Sequence, residues 1–327
     1  MRVLVTGGSG FLGSWVAELL SKADHDVRAL VRRSSNREHL ATLARVELAT
    51  GSVEDAASVA EAVRGVDAVV HCAGLVKAKD ETELYRTNVE GTRNLVEAAK
   101  AHAPKLRRFV HVSSLEASGP SPSGGPVAPD QESPVTAYGR SKLAAEKVVI
   151  GAKDSIPVTV LRPGAIYGPR DGEILDAFKS VKRGLLPTVA GGHARGSFVW
   201  GPDCAAACIR AIEADVPSGS VYFVDDGGDG VSQREFLEMI EQALGRRALV
   251  RMSLPKGLLK TVALGVEAYG KASGKAVMLT REKANMLLQH FVCESSLTQK
   301  DLGWKPEVPL REGVRRAADW YRENGWL

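Results

Sequence analysis

Residues 3–13 read VLVTGGSGFLG, an apolar run followed by a turn that is rich in glycine. The run predicts a buried strand, and Phe11–Lys22 has the apolar pattern of a helix. Glycines in such a turn let the backbone approach a phosphate closely, and the free N–H groups at the start of the helix attract a pyrophosphate. The segment therefore predicts a dinucleotide-binding turn, although a turn that needs glycine only for its shape is the alternative. The residues predicted to contact the dinucleotide here are Gly7, Gly10, Phe11, Leu12 and Gly13.

Strand and helix patterns alternate through the first half of the chain. Further strands are predicted at Asp26–Val31, Val46–Ala49, Ala68–His71, Phe109–Ser113 and Val158–Arg162. Further helices are predicted at Arg37–Arg45, Ala56–Arg64, Thr87–His102 and Ala137–Ala152. Because parallel strands need helical crossovers, this alternation predicts a Rossmann-type α/β fold with a doubly wound parallel sheet.

The pattern becomes looser after Pro163. The elements predicted there are a strand at Val221–Val224 and helices at Gln233–Leu244 and Arg311–Asn324. We therefore expect a dinucleotide-binding domain over residues 1–163 and a smaller C-terminal α/β substrate-binding lobe over residues 164–327. Segments within about 198–226 are expected to return to the first domain.

The composition is that of an ordinary soluble globular protein. Of 327 residues, 44% are hydrophobic and 25% are charged, and a net charge of +4 is too small to indicate a nucleic-acid partner. The four cysteines lack the spacing of a zinc site or a disulfide framework, so we expect no metal, and Cys204 and Cys208 are expected to be buried. The sequence shows neither a signal peptide nor a run of about 18 apolar residues. A cytoplasmic protein without an integral membrane segment is expected.

The end of the second predicted strand indicates which dinucleotide is bound. An NAD site usually has Asp or Glu there to hold the ribose hydroxyls, but this chain has Val31 followed by Arg32 and Arg33. Arginines pair with the 2′-phosphate of NADP through charge-assisted hydrogen bonds, whereas a carboxylate would repel it. We therefore predict NADP(H), with NAD as the less favoured cofactor. Two solvated arginines are the alternative interpretation.

Two polar motifs predict the chemistry. Ser113 and Ser114 come at the carboxyl end of a predicted central strand, where open α/β sheets bind their ligands. Tyr138 and Lys142 are one turn apart on a predicted helix. A nearby ammonium favours phenolate, so this pair can give a proton to a carbonyl oxygen or take one from an alcohol, while a serine hydroxyl holds that oxygen. A half-buried tyrosine beside a solvated lysine is the alternative.

Taken together, these motifs resemble the extended short-chain dehydrogenases/reductases, and the resemblance covers nearly the whole chain. The segments that carry it, besides the glycine-rich turn, are 71–74 (HCAG), 88–92 (NVEGT), 113–114 (SS), 138–142 (YGRSK), 162–169 (RPGAIYGP) and 301–306 (DLGWKP). The resemblance implies that Tyr138 is the acid/base and that Ser114 is the catalytic serine, with Ser113 as the second choice. Lys142 would bind the nicotinamide ribose and lower the pKa of the tyrosine, and Asn88 would lie near the cofactor.

The same resemblance extends the cofactor site and suggests an assembly. The further residues expected to contact the cofactor are Ser52, Val53, Ala73, Gly74, Pro163, Ala165 and Ile166. A homodimer is implied, formed through the helices that hold residues 88–101 and 138–149.

This chain departs from the family pattern at two positions. The Gly-Asp that usually follows the third strand is Gly51-Ser52 here, which leaves the adenine contact open and Asp55 a doubtful substitute. The tyrosine that often precedes the glycine after the serine strand is Ser118.

Three chemistries compete within the family. Dehydratases place an Asp-Glu pair after the serine or threonine, but this chain has Leu115-Glu116, which argues against dehydration. The arginines after the second strand favour an exchangeable NADP(H), and hence reduction of a ketone or aldehyde in a small, largely apolar substrate. Residues 254–264 are apolar enough to line such a pocket, although helix packing is the favoured explanation, and their mixture of Lys and Leu also allows contact with a membrane surface.

Two other functions remain as alternatives. Arg195 lies in a glycine-rich loop, where an arginine of nucleotide-sugar enzymes meets the pyrophosphate, so an epimerase with tightly bound NAD stays open. A non-catalytic NADP-binding regulator is disfavoured, because binding alone needs no acid/base pair.

Overall fold

The computed structural model describes residues 1–274, 276–277 and 279–327. In this part of the chain the strands β1 to β13, in chain order, are Arg2–Thr6, Asp26–Val31, Val46–Thr50, Ala68–His71, Arg108–Val112, Val158–Pro163, Ala165–Tyr167, Leu185–Val189, Arg195–Gly196, Phe198–Trp200, Ser220–Val224, Val231–Ser232 and Val250–Leu254. The helices α1 to α13 are Phe11–Lys22, Glu38–Ala41, Ala56–Val63, Glu81–Tyr85, Gly91–His102, Ala137–Ile150, Leu175–Lys182, Gly201–Glu213, Gln233–Leu244, Lys256–Ser273, Arg281–Met286, Ser296–Leu302 and Leu310–Glu323.

Within the described residues, seven strands form one sheet in the order β11-β6-β5-β4-β1-β2-β3. Every neighbouring pair in it is parallel. The predicted Rossmann-type doubly wound sheet is therefore confirmed. The strand order reverses between β1 and β4, so the connections from these two strands leave in opposite directions. A crevice for a ligand is expected at the carboxyl ends of the strands at this point.

Helices cover both faces of this sheet. On one face, α1 and α8 pack against the strands through residues such as Val16 and Cys208. On the other face, α3, α5 and α6 pack through Val59, Leu95 and Val149. Strands that are covered on both sides are apolar at consecutive positions, which explains why their sequences do not alternate.

The polypeptide after β7 builds a second cluster of packed helices beside the sheet. Phe178, Ile240 and Tyr321 lie at its centre, between α7, α9 and α13. Small two-stranded sheets, β8 with β13, β9 with β12 and β7 with β10, surround it. The apolar segment at 254–264 divides into the end of β13 and the first half of α10, whose inner side buries Leu259 and Ala263.

One helix differs clearly from the predicted bounds. The pattern predicts a helix from Thr87, but the chain is helical from Glu81, and a π-helical turn at Arg86–Glu90 joins α4 to α5. This turn carries Asn88, and π-helical turns frequently occur at functional sites. The predicted helix at Arg37–Arg45 is shorter than expected, since only Glu38–Ala41 is helical.

Two further expectations concern the cysteines, with a possible metal site, and a membrane-spanning segment. All four cysteines are free thiols, and Cys204 and Cys208 are buried as predicted. Among the described residues, no group of three or more His, Cys, Asp and Glu side chains could hold a metal ion. None of the described helices has both the length and the apolar character that crossing a bilayer requires.

Candidate active site

The glycine-rich turn after β1 has the geometry that its sequence demands. Gly7 has a φ of +68°, and a Cβ at this position would lie 2.8 Å from the backbone N of Ala73. A Cβ at Gly13 would lie 2.2 Å from the carbonyl oxygen of Gly7, so the helix can approach the strand closely only with glycine there. Gly10 is the N-cap of α1, and the nearest atom to a Cβ there is the Gly7 oxygen at 3.2 Å. The turn therefore presents open backbone at a helix N-terminus, where a pyrophosphate is favoured.

A cleft of about 350 Å³ follows from this turn along the carboxyl ends of the strands. The residues that line it are Gly7, Ser9, Gly10, Leu30, Val31, Arg32, Ser35, Asn36, Gly51, Ser52, Val53, Glu54, Cys72, Ala73, Gly74, Leu75 and Thr87. Seven of the predicted cofactor contacts are among them, and they come from four different strand ends. The cleft thus lies at the crevice that the strand order creates.

Other predicted cofactor residues lie outside this lining. Leu12 and Gly13 are buried behind the turn, and Phe11 packs near Gly201, where a Cβ would lie 2.9 Å from the Phe11 ring. Ala165 and Ile166 belong to β7, which pairs with β10, and Ala165 is exposed.

Arginine side chains and polar groups lie at the far end of the cleft. Arg32 is exposed there, and Arg37 donates a hydrogen bond from Nη2 to the Arg32 carbonyl at 3.0 Å. The Nε of Arg37 is buried and has no hydrogen-bond partner among the described residues. Arg33 is also exposed, and of the three arginines only Arg32 is among the described residues that line the cleft.

Two acidic residues near this cleft are committed to other groups. Glu54, which lines the cleft, accepts a hydrogen bond from Thr87 at 2.6 Å and pairs with Arg86 at 2.9 Å. Asp55 is the N-cap of α3 and accepts from the backbone N of Ala57. Asp55 is therefore a helix cap, which accounts for its place in the sequence without a contact to adenine.

Tyr138 and Lys142 lie one turn apart in α6, as predicted. The helix begins after Thr136, whose hydroxyl accepts from the Gly139 backbone N at 3.0 Å. Lys142 is buried and donates a hydrogen bond from Nζ to the Val112 carbonyl oxygen at 2.7 Å. A Cβ on Gly74 would lie 3.8 Å from this Nζ, which places the ammonium directly behind the wall of the cleft.

Asn88 joins the same region from the π-helical turn. Its amide nitrogen donates to Ser141 Oγ at 2.9 Å and to the Leu75 carbonyl at 3.0 Å, and its oxygen accepts from the Leu75 backbone N at 2.7 Å. Ser141 in turn donates to the Tyr138 carbonyl at 2.7 Å. The asparagine thus ties the cleft wall at Leu75 to the helix that carries the tyrosine.

The two serines after β5 have different surroundings. Ser113 is buried and donates to Glu146, which also pairs with Arg162 at 2.7 Å. Ser114 is half-buried, and its Oγ accepts from the Glu116 backbone N at 3.1 Å. A hydrogen bond from Ser114 to the phenol opposes the rise in the pKa of Tyr138. Of the two hydroxyls, that of Ser114 is therefore the one next to the phenol.

Burial controls the protonation of this site. It raises the pKa of Tyr138, and the Glu116 carboxylate raises it further. Burial also lowers the pKa of Lys142 to about 8, although Glu146 and Cys72 oppose this change. The sequence predicts that Lys142 lowers the pKa of the tyrosine, but in the protein alone the phenol stays neutral because burial and Glu116 outweigh other effects. The site is thus prepared with a protonated tyrosine.

A second cavity, of about 680 Å³, opens beside Tyr138. Its walls are residues 76–81 after β4, the start of α6 with Glu116, and residues of α10 and α11. Several charged wall residues pair with one another, as Glu116 does with Lys283 at 2.8 Å and Arg140 with Glu282 at 3.0 Å. The part of α10 that reaches the cavity is Glu267 and Gly270 rather than the predicted apolar segment at 254–264.

Arg195, the residue that leaves an epimerase open as an alternative, lies away from both cavities. Arg195 donates from Nη2 to the carbonyl oxygens of Asp229 and Gly230, at 3.0 and 2.9 Å. It is not one of the described residues that line either cavity.

Comparisons with known proteins identify a family and several relatives with this architecture. Residues 3–224 match the model of the NAD dependent epimerase/dehydratase family, whose structurally characterised neighbours are extended short-chain dehydrogenases/reductases. The chain belongs to this family. This extended short-chain dehydrogenase/reductase is 31% identical to the ceramide reductase of Caulobacter vibrioides over 326 residues, which cover 99% of this chain and 96% of that protein.

Other relatives of this chain are named for different reactions. The UDP-glucose 4-epimerase of Vibrio cholerae is 28% identical over 97% of this chain and 94% of its own length. The structure of DesIV, a dTDP-glucose 4,6-dehydratase from Streptomyces venezuelae with NAD bound, is 26% identical and superposes with a TM-score of 0.81 over 100% of this chain and 98% of that chain. The family therefore includes both reductases and enzymes that act on nucleotide sugars.

Some residues of this site were missed by the sequence analysis. Glu282 accepts a hydrogen bond from the backbone N of Ala137 at 2.7 Å and so caps the helix that carries Tyr138. Lys283, Arg37 and Glu54 also lie at the site. Glu282 and Lys283 contact groups more than 140 positions away, and no local pattern can reveal such contacts.

Proposed function

We propose that this extended short-chain dehydrogenase/reductase is an NADP(H)-dependent oxidoreductase that reduces a ketone or aldehyde. The observation that carries the proposal is the position of Tyr138, whose protonated phenol lies beside Ser114 and lines a cavity of about 680 Å³. A dinucleotide in the neighbouring cleft, with its pyrophosphate at the glycine-rich turn, supplies hydride when bound. The protein must then deliver a proton to the same carbonyl.

The chain's own residues account for that proton. Tyr138 donates its phenolic proton to the carbonyl oxygen, and Ser114 holds that oxygen with its hydroxyl. Lys142, behind Gly74, binds the nicotinamide ribose and favours the phenolate once the proton has left. Asn88 fixes the cleft wall against α6, so the phenol and the cleft keep their relative position.

Selection of NADP over NAD rests on the end of β2. Val31 leaves the ribose without a carboxylate partner there, and Arg32, Ser35 and Asn36 line that end of the cleft. The buried, unpartnered Nε of Arg37 supplies a second guanidinium nearby. Two guanidiniums suit a 2′-phosphate, which accepts several charge-assisted hydrogen bonds.

We also propose that the substrate is small and largely apolar. Pairing among the charged wall residues leaves the cavity with little free charge for an ionic ligand, and the similar ceramide reductase is named for a lipid. The remaining cofactor contacts, at Phe11, Leu12, Gly13, Pro163, Ala165 and Ile166, are part of this proposal.

Three statements about the whole protein belong to the same proposal. Residues 1–163 form the dinucleotide-binding domain and residues 164–327 the substrate lobe, while β11 and α8, within 198–226, join the central sheet and its helical cover. The protein is a homodimer that packs through α5 and α6. It works in the cytoplasm.

The test is a panel of ketones and aldehydes, with apolar chains of increasing length, added to the purified protein and NADPH. We expect loss of NADPH absorbance with at least one carbonyl and a much slower reaction with NADH. The similar Vibrio cholerae enzyme supports an epimerase as the second candidate. NAD that survives purification, together with epimerisation of a nucleotide sugar without added cofactor, would replace the reductase assignment.

A further inference from the structure

The outer side of the C-terminal helical region exposes apolar side chains on two adjoining elements. In the two-stranded sheet of β8 and β13, the alternate residues Leu185, Pro187, Val250 and Met252 are exposed. In α10, the exposed residues include Leu258 (51%), Val262 (41%) and Tyr269 (59%). We name these seven residues the apolar face. Exposed apolar residues grouped on adjoining elements often mark an interaction site.

The two elements form one corner of the structure. β13 leads into α10 through Pro255, and the inner side of α10 packs against Val189 and Leu254, which end the two strands. The spacing of Leu258, Val262 and Tyr269 places them along one side of the helix, whereas Leu259 and Ala263 on its inner side are buried. The exposed apolar residues of α10 are therefore not the residues that hold the helix in place.

Basic residues surround the apolar face. Residues 242–266 contain five Lys and Arg residues and no Asp or Glu. Lys182 and Arg183 precede β8, and Arg246, which precedes β13, donates to the Lys182 carbonyl at 3.2 Å, so the cations at the two strand entries lie together. Lys256 and Lys260 are exposed on α10 but lie on the opposite side of the helix from Leu258, Val262 and Tyr269, so the basic residues next to the apolar face are those at the strand entries. Of the five, Arg251 is paired, with Glu238 and Glu241.

We propose that this protein binds the surface of anionic membranes through the apolar face. Exposed apolar side chains beside a basic cluster favour the interface between headgroups and acyl chains, and anionic lipids attract the cluster of Lys182, Arg183, Arg246 and Arg247 next to β8 and β13. A second copy of the chain is a poorer occupant, because a symmetric contact would bring the cluster of Lys182, Arg183, Arg246 and Arg247 against itself.

The placement of α10 links this surface to the second cavity. Glu267 and Gly270 of α10 line the cavity of about 680 Å³. Docking therefore brings one wall of the cavity to the bilayer, where an apolar substrate is concentrated. This inference does not depend on the reductase reaction, since binding can be measured without turnover.

The experiment is flotation of the full chain with vesicles of phosphatidylcholine alone or mixed in equal parts with phosphatidylglycerol. We expect binding to the mixed vesicles at least about tenfold tighter than to phosphatidylcholine, because a cation near an anionic surface contributes about a fivefold gain. Raising NaCl well above about 0.1 M should weaken it. Equal binding to both vesicle types, or binding to neither, would overturn the proposal.

Variants identify the surface. Leu258→Ser/Val262→Ser/Tyr269→Ser and, separately, Arg183→Gln/Arg247→Gln should each reduce binding to mixed vesicles about tenfold or more. Leu297→Ser, which changes an exposed leucine (48%) on α12, is the matched control and should bind as the parent does. All variants should keep the parent's unfolding temperature and its rate on a water-soluble ketone. Unchanged vesicle binding in both multiple variants, or loss of self-association in them without any vesicle binding, would refute the membrane assignment.

Discussion

Neighbouring residues of the same type can have unrelated roles, as Ser113 and Ser114 demonstrate. The hydroxyl of Ser113 is used in a buried network with Glu146 and Arg162, whereas that of Ser114 is next to the phenol of Tyr138. From the sequence, both serines follow the same strand and either can be the functional one. The choice depends on the direction in which each side chain leaves the strand end, and this is set by the helix packed behind it.

Replacing Tyr138 by Phe tests the proton donor. The variant keeps the ring and its packing but removes the phenolic proton, so kcat should fall by about two to four orders of magnitude while the affinity for NADPH is unchanged. Steady-state kinetics and NADPH titration measure the two effects. Tyr269→Phe, on the exposed side of α10, is the control and should retain full activity. A fully active Tyr138→Phe enzyme would exclude the tyrosine as the proton donor.

Replacing Arg32 and Arg37 tests the 2′-phosphate site. Each Ala variant removes a guanidinium from the end of the cleft, so the KM for NADPH should rise about tenfold or more and the KM for NADH should change little. Arg33→Ala is the matched control, because Arg33 neither lines the described cleft, as Arg32 does, nor bonds to the Arg32 carbonyl, as Arg37 does. An equal rise in KM for both cofactors would show that these arginines do not recognise the 2′-phosphate.

At the scale of elements, the glycine-rich turn sets the distance between β1 and α1. In Gly13→Ala the new methyl group would lie 2.2 Å from the Gly7 carbonyl oxygen, so the helix must move and the free energy of unfolding should fall by about 3 kcal/mol. Denaturant unfolding measures this change. Gly257→Ala is the control, because a Cβ there meets no described atom within 4 Å and alanine favours the helix. An unchanged stability in Gly13→Ala would contradict the packing argument.

The elements also show where sequence patterns are sufficient and where they are not. α1 and α9 begin and end at the predicted residues, because each has an apolar side of regular spacing and a clear start. β9 and β12 have two residues each and are held by pairing with distant segments. The π-helical turn before α5 was likewise not predicted, since its extra residue leaves no mark on the apolar pattern. Short paired strands and helix irregularities are set by tertiary contacts.

At the scale of the whole molecule, two buried histidines link stability to pH. Burial lowers the pKa of His71 to about 3 and that of His111 well below its ordinary value. Below about pH 6.5 the unfolded chain takes up protons that the folded chain does not, so the stability present above that pH is lost as the pH falls towards 3. We expect a loss of about 2 kcal/mol at pH 5 from His71, and a loss of the same sign from His111.

The variant His111→Leu separates this effect from other titrations. His111 is buried and neither ring nitrogen has a hydrogen-bond partner among the described residues, so leucine removes the proton uptake without removing a bond. In denaturant unfolding between pH 5 and 8, the free energy of unfolding of the variant should depend less steeply on pH than that of the parent. An identical pH dependence in the two proteins would mean that folding does not lower the pKa of His111.

At this scale, what can be predicted depends on how far apart in the sequence the contacting residues lie. The central sheet and the Tyr138–Lys142 pair could be predicted, because alternation and helical spacing are local. The walls of the second cavity could not, since they join α6 to helices of the C-terminal third through pairs such as Arg140 with Glu282. For the apolar segment at 254–264 helix packing was the favoured explanation, yet Leu258 and Val262 face outward, because hydrophobicity alone does not say which side of a helix is covered.

One contact described above has a mechanical consequence. Glu282 caps the first turn of α6 at Ala137 and pairs with Arg140, on either side of Tyr138 in the sequence. The turn that presents the acid is therefore anchored to a segment more than 140 positions further along the chain. The orientation of the phenol thus depends on the C-terminal third of the protein as well as on the central sheet.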